Sequence, residues 1–227
     1  MKRIVCYVTD SQSLGVTEPC SDILTKIEAA VKAGVDWVQI REKEMPTRQL
    51  LAIARAAVRM TNRKPAPPAG EDRPGSLILV NDRLDVALAG NAAGIHLGRE
   101  SLAAQDVIGL RRRRKTVTDL MVGLSCHTID ELRQAEDAGV DYAFLGPVFD
   151  TPTKRLFGPP LGIAKLAAAC RATRLNVIAI GGVTLENGAE CLHAGAAGIA
   201  AIRMFQQAWE PAELKKAVER LHSVGQR

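Results

Sequence analysis

Short apolar runs alternate with longer stretches of helical periodicity from one end of the chain to the other. Ile4-Val5-Cys6-Tyr7-Val8 reads as a strand, with Thr9-Asp10 as the polar mouth behind it. Ile23, Ile27, Ala30 and Val31 then recur at helical spacing, after Ser21 or Asp22 as a cap and before Gly34 as a stop. Trp37 to Ile40 is the second strand, and Pro46 suits the first turn of a helix running to about Met60. The third strand, Leu77 to Val80, ends in Asn81-Asp82 and precedes a short helix to about Ala89. Ala93 to Leu97 is a fourth strand, followed by a helix over about Leu102 to Arg113. Leu120 to Leu124 is the fifth, with Ser125-Cys126-His127 at its end, and Thr128 with Glu131 forms a capping box for the next helix. Tyr142 to Leu145 is the sixth strand, and the irregular stretch Gly146 to Gly158 separates it from a helix over Gly162 to Ala172. Val177 to Ile180 runs into Gly181-Gly182, and a helix from about Leu185 to Ala194 leads to the eighth strand, Gly198 to Ile202. A helix from Pro211 to Ser223 closes the pattern.

Apolar strands separated by helices imply a parallel sheet covered on its faces. Eight such units in 227 residues predict an α/β fold, a (β/α)8 TIM barrel, as a single domain over residues 1–227. A doubly wound open sheet is the alternative. It would want a glycine-rich turn after the first strand, and Thr9-Asp10-Ser11 is not one. Residues 63–75, rich in Pro, Gly and charge, predict a mobile insertion. It joins a helix to the next strand, which in a barrel is the face away from the chemistry.

Composition removes several function classes. Net charge is +5, and much of it sits in one run, Arg111 to Lys115, which reads as cations complementing a helix C-terminus, with a nucleic-acid patch as the lesser reading. Aromatic residues are 4% of the chain, too few for a single-strand stacking platform, so nucleic acid is not an expected partner. Five scattered cysteines form no CxxC pair, which suits reduced thiols in a cytoplasmic protein. No apolar run reaches the roughly 18 residues of a membrane span, and no signal-peptide pattern opens the chain.

In a barrel the active site is built from strand ends and the loops after them. Those ends carry Gln39, Arg41 and Lys43, then Asn81-Asp82, His96, Ser125, Thr151-Pro152-Thr153-Lys154 and Gly181-Gly182. Strict alternation would set Gln39, Arg41 and Lys43 on one side and Ile40 and Glu42 on the other. A guanidinium and an ammonium converging there form either half of an anion site, suited to phosphate or pyrophosphate, or a solvated strand end. Gly181-Gly182 before a helix is a phosphate cradle or simply a tight turn. Asp82 is a Mg²⁺ ligand or a helix cap. Lys154 either folds over a phosphate or is a solvated loop lysine, and His96 belongs to the site or to the core. His193 and His222 sit in helices and read as structural. The set holds cations, hydroxyls and one carboxylate but no nucleophile–base pair. It suits electrostatic stabilisation of a leaving phosphate, with a metal ion.

The ordered segments Val38-Gln39-Ile40-Arg41-Glu42-Lys43, Val80-Asn81-Asp82-Arg83, Gly94-Ile95-His96-Leu97-Gly98, Gly123-Leu124-Ser125, Gly146-Pro147-Val148-Phe149 with Thr151-Pro152-Thr153-Lys154, and Ala179-Ile180-Gly181-Gly182-Val183 span nearly the whole chain. Together they resemble the thiamine phosphate synthases and their relatives, the thiazole tautomerases. The resemblance implies a barrel that joins a hydroxymethylpyrimidine pyrophosphate to a thiazole phosphate dissociatively, releasing pyrophosphate. It implies that Gln39, Arg41, Lys43 and Asn81 hold the pyrimidine pyrophosphate, with Ser125 and Lys154 also on the pyrophosphate. Thr151, Thr153 and the Gly181-Gly182 pair meet the thiazole phosphate, and Asp82 binds Mg²⁺. By the same resemblance Arg41, Lys43, Ser125 and Lys154 stabilise the leaving group, and the partners are these small phosphorylated substrates, with a homo-oligomer admitted. Three positions depart from the synthase or tautomerase pattern. Ser101 stands where the synthases place a second Mg²⁺-binding Asp, which leaves Ser101 as the second metal position. Pro147 stands where the tautomerases carry a His, and Arg203 where the synthases carry a Ser. A tautomerase-like paralogue and a non-catalytic, phosphate-binding regulatory barrel are the two alternatives.

Overall fold

The computed structural model describes residues 3–14, 19–61, 75–114, 119–151, 159–207 and 209–225. Eight parallel strands close into a barrel in chain order, as the alternation predicts. They are β1 (Ile4–Val8), β2 (Trp37–Ile40), β3 (Leu77–Asn81), β4 (Gly94–Leu97), β5 (Met121–Cys126), β6 (Tyr142–Leu145), β7 (Asn176–Ile180) and β8 (Gly198–Ala201). Closure comes from β1 pairing with β8, where Ile4 meets Gly198 and Tyr7 meets Ala201. The helices on the outside are α1 (Pro19–Ala33), α2 (Thr47–Met60), α3 (Leu84–Ala89), α4 (Ala104–Arg113), α5 (Ile129–Ala138), α6 (Gly162–Ala172), α7 (Gly188–His193), α8 (Arg203–Gln206) and α9 (Pro211–His222). None is long and apolar enough to cross a membrane.

The strands read as continuous apolar runs because both of their faces are buried. Alternate residues split between two cores. Cys6, Val8, Trp37, Leu79, Tyr142, Phe144, Ile178 and Ala200 fill the barrel. Val5, Val38, Ile40, Val80, Ile95, Val122, Ala179 and Ile199 face outward and pack with the helices, for example with Leu50, Ile53, Ala54 and Ala57 of α2. Inside, the Tyr142 ring lies against Trp37, centroids 4.7 Å apart, and directly over Gly123, where a Cβ would come within 2.0 Å of the phenol carbon. Glycine at 123 is what admits the tyrosine. The apolar filling gives way at the C-terminal mouth to Gln39, Asn81, His96 and Ser125.

Several boundaries differ from the sequence reading. Pro46 is the N-cap of α2, extended at φ −56° and ψ 142°, rather than part of its first turn. β5 runs on to Cys126, so Ser125 is a strand residue. The short 3-10 turn Ser11–Leu14 and the single turn α8 are too brief to show a period, and pattern alone did not reveal them. At α5 the Thr128 hydroxyl accepts the Glu131 N–H at 3.1 Å, but Glu131 returns its carboxylate to the His127 N–H at 2.5 Å, one residue outside the expected box.

The strand N-terminal face is closed by local polar ties. Arg111, first of the basic run, is an anchored residue: its guanidinium donates to Leu120 O at 3.2 Å, to Gly139 O at 3.1 Å and to the Asp141 carboxylate. Arg112 to Arg114 are exposed. His222 of α9 meets Asp36 at 2.6 Å, and the same Asp36 oxygen accepts the Val5 N–H at 2.9 Å. The expected insertion lies outside the described residues save for Gly75. Its flanks are close neighbours, since a Cβ on Gly75 would stand 2.3 Å from the Thr61 carbonyl oxygen.

Candidate active site

Two hydrogen-bonded chains lie at the barrel mouth. The first begins at Asp82, which follows β3 with a positive φ of 60°, a left-handed conformation that Asp adopts more readily than most side chains. Its backbone N–H donates to His96 O at 2.9 Å, which ties the ends of β3 and β4. Its carboxylate accepts from Asn81 Nδ2 at 2.5 Å, from the Gly98 N–H at 3.1 Å and from the Ser101 hydroxyl. Asp82 does not cap α3; the N-cap there is Arg83, without a side-chain cap.

This carboxylate fixes two amide orientations. An ionised carboxylate only accepts, so Asn81 turns its NH₂ toward Asp82 and its carbonyl toward Gln39. Gln39 then donates through Nε2 to Asn81 Oδ1 at 2.8 Å. That leaves Gln39 Oε1 as a buried acceptor with no partner among the described residues. Gln39 itself is 1% exposed.

The second chain is centred on His96, inside β4 and 1% exposed. Its Nε2 lies 2.9 Å from Ser125 Oγ, and its Nδ1 lies 3.1 Å from Tyr142 OH. The Phe144 ring packs at 4.3 Å. Burial pushes the imidazole down to about 3, against the pull of the Asp82 charge and with the help of Arg41. It is neutral near neutral pH and is not a charged ligand for phosphate. His96 therefore serves both core and site, since its partners reach from the barrel centre to Ser125 at the mouth.

The strand period covers only part of the stretch that carries the cations. β2 ends at Ile40, so its period does not extend to Lys43. Gln39 points inward, Arg41 is half-buried and Lys43 is exposed on a turn. Glu42, expected only on the opposite side, is 7% exposed and braces the mouth. It accepts from Thr9 Oγ1 at 2.5 Å and from the Ser11 N–H at 3.0 Å, while Thr9 Oγ1 accepts the Arg41 N–H at 3.0 Å. Thr9 and Glu42 were missed as a unit because nothing local in sequence couples the end of β1 to the end of β2. His127 was passed over as well; its Nδ1 contacts the Gly146 carbonyl and links the ends of β5 and β6.

Gly181 and Gly182 have φ of +93° and +68° and lie against the 147–150 backbone. A Cβ on Gly182 would stand 2.7 Å from Phe149 Cβ, so close approach requires both glycines. α7 begins only at Gly188, later than the sequence reading, because Thr184 and Asn187 form a turn first: Asn187 Oδ1 accepts the Thr184 N–H at 2.8 Å and Asn187 Nδ2 donates to Gly182 O at 3.0 Å. Thr151 is 7% exposed, and Arg203 is exposed at the start of α8. Thr153 and Lys154 lie outside the described residues.

A cleft of about 280 Å³ opens beside these chains, with Gly98, Ser101, Ser125, His127 and Glu131 in its lining. Among the described residues no group of three or more His, Cys, Asp and Glu could hold a metal ion. Asp82 and Ser101 offer one carboxylate and one hydroxyl in mutual contact. Hard oxygen donors of this kind suit Mg²⁺, which usually takes one or two carboxylates and completes its shell with water and phosphate oxygens.

Residues 5–205 match the model of the thiamine monophosphate synthase family. A putative thiamine-phosphate synthase of Geobacter sulfurreducens is 38% identical over 87% of this chain and 85% of its own length. The thiamine-phosphate synthase of Roseiflexus sp. is 34% identical over 97% of this chain and 84% of its own. Among solved structures, thiamine phosphate pyrophosphorylase from Pyrococcus furiosus superposes with a TM-score of 0.78 at 26% identity, covering 96% of this chain and 94% of that one. The chain belongs to the thiamine monophosphate synthase family.

Proposed function

We propose that this barrel is a thiamine-phosphate synthase, condensing a hydroxymethylpyrimidine pyrophosphate with a thiazole phosphate. The observation that carries the reading at the site is the bare acceptor Gln39 Oε1. A buried acceptor left unpaired costs about 1–3 kcal/mol, which a ligand N–H can relieve. The exocyclic amine of an aminopyrimidine is such a donor. Arg41 and Lys43 flank the same strand end, and with Asn81, Ser125 and Lys154 they hold the pyrophosphate. Thr151, Thr153, Gly181 and Gly182 receive the thiazole phosphate.

The chemistry needs leaving-group stabilisation more than proton transfer. The bond between the pyrimidine methylene carbon and the pyrophosphate oxygen breaks, and its electron pair leaves with pyrophosphate. The thiazole nitrogen lone pair then forms the new C–N bond, and no proton moves on this path. The residues supply donors and cations where negative charge grows. A buried neutral imidazole is consistent with that role, because no general base is required. Asp82 and Ser101 would hold Mg²⁺, whose charge, when bound, neutralises pyrophosphate oxygens. The contact of Ser101 with Asp82 supports its place beside the metal, although it lacks the charge of an aspartate. Pro147 provides none of the acid–base capacity of the tautomerase histidine. Five free thiols suit a cytoplasmic enzyme acting as one domain.

Incubating the protein with both substrates and Mg²⁺ should yield thiamine phosphate and pyrophosphate in equal amounts, read by mass spectrometry. Absence of product under these conditions would sink the reading. Gln39→Leu should raise KM for the pyrimidine substrate roughly tenfold, the size of one buried hydrogen bond, and leave KM for the thiazole phosphate unchanged.

A further inference from the structure

We propose that Tyr142 is a positioning residue, acting through His96 to leave the Ser125 hydroxyl proton free for an anion at the barrel mouth. The inference deepens the proposed function, since it rests on Ser125 contacting the pyrophosphate.

It follows from counting protons along Tyr142–His96–Ser125. Tyr142 OH is buried and 3.1 Å from His96 Nδ1, its one hydrogen-bond partner among the described residues. Around it stand the Trp37 and Phe144 rings, with centroids 4.7 and 5.5 Å from that of Tyr142, and the bare backbone of Gly123. A phenol has one proton to donate. If Nδ1 carried a hydrogen, it would donate to the phenol oxygen, and the phenol proton would face aromatic carbon with no acceptor. If Nδ1 is bare, the phenol donates to it and every group is satisfied. His96 then carries its hydrogen on Nε2, 2.9 Å from Ser125 Oγ, and donates to the serine. Ser125 accepts from His96, and its own proton remains available.

The opposite tautomer would reverse this outcome. Ser125 would spend its proton on Nε2 and present only lone pairs to the mouth, which repel an anion. The Tyr142 hydroxyl therefore sets the hydrogen-bonding sign of a residue that it does not touch. The first chain at the mouth, from Asp82 through Asn81 to Gln39, ends in an acceptor. This second chain ends in a donor. One ligand carrying an amine at one end and an anion at the other meets the required partner at each.

Tyr142→Phe keeps the ring and removes the proton source. It should weaken binding of inorganic pyrophosphate with Mg²⁺, measured by calorimetry, by roughly tenfold, about one hydrogen bond. Ser125→Ala should cause a similar loss, and the double variant should be no weaker than Ser125→Ala alone. A purely structural tyrosine would give multiplicative losses. No effect of Tyr142→Phe, or equal effects in both serine backgrounds, overturns the proposal. Should Tyr142→Phe fail to fold, ¹⁵N NMR of the unmodified protein decides the matter. The His96 signals, assigned by their loss in His96→Gln, must show a protonated Nε2 and a bare Nδ1, and the reverse pattern overturns the proposal. If the protein makes no thiamine phosphate yet shows this tautomer and this coupling, the synthase reading fails and the relay stands.

Discussion

Ser101 and Asp82 are so close that the charge of residue 101 decides whether their contact attracts or repels. The serine hydroxyl donates to the carboxylate and accepts the Gly98 N–H at 2.6 Å. Ser101→Asp would place two carboxylates in contact. Without metal, the variant should melt roughly 4 °C lower, from about 1–2 kcal/mol of like-charge repulsion. Millimolar Mg²⁺ should restore Tm and bind more tightly than to the unmodified protein. Thermal scans with EDTA and with Mg²⁺ check both. At this scale the polar residues at strand ends were legible in sequence, but not their hydrogen-bond directions. Asn81, Asp82, His96 and Ser125 follow from their places at strand ends. That Asn81 meets Gln39, or that His96 joins Ser125 to Tyr142, depends on partners 29 to 46 positions away, and no local pattern encodes that.

At the scale of elements, the stretch Val38 to Lys43 shows where a strand period ends. Alternation holds only while the backbone is a strand, and β2 stops at Ile40. Beyond that point, burial of Glu42 sets the geometry. Thr9, Glu42 and the Arg41 N–H form a brace between the ends of β1 and β2. Glu42→Ala leaves the Ser11 N–H and the Thr9 hydroxyl without that partner and should destabilise the fold by about 1–3 kcal/mol. It should also raise KM for the pyrimidine substrate, since the Thr9 hydroxyl that accepts the Arg41 N–H loses the carboxylate that orients it. Denaturant unfolding and steady-state kinetics separate the two effects; an unchanged KM would detach the brace from the site. The barrel itself was legible because two buried faces per strand produce unbroken apolar runs. α7 was placed three residues early because the turn made by Thr184 and Asn187 resembles a helix start in sequence.

For the molecule as a whole, acid stability offers a test away from the mouth. Glu136 on α5 accepts from Thr173 Oγ1 at 2.6 Å, and from the Arg174 guanidinium at 2.9 Å. The Thr173 hydroxyl, then Arg174, hold its carboxyl down at about 2, below the usual 4.5. The folded form thus favours the ionised state. The stabilisation is fully present above about pH 4.5 and is lost as pH falls from there through about 2. Glu136→Gln should lower Tm at pH 7 and change it little at pH 2, so its Tm should depend less on pH across this window. An equal Tm deficit at both pH values would show that the ion pair and hydrogen bonds contribute no linkage.

The meeting of Thr61 with Gly75 has a practical consequence for engineering. Two backbone positions already in contact at the end of the barrel opposite the mouth form a splice point. Replacing residues 62–74 with a two- or three-residue glycine link should shift Tm by no more than about 5 °C and leave synthase turnover within about twofold, because loop length enters the closure entropy only logarithmically. The same joint is then the place to graft a reporter, an affinity tag or a second folded module, with the catalytic end left open to its substrates.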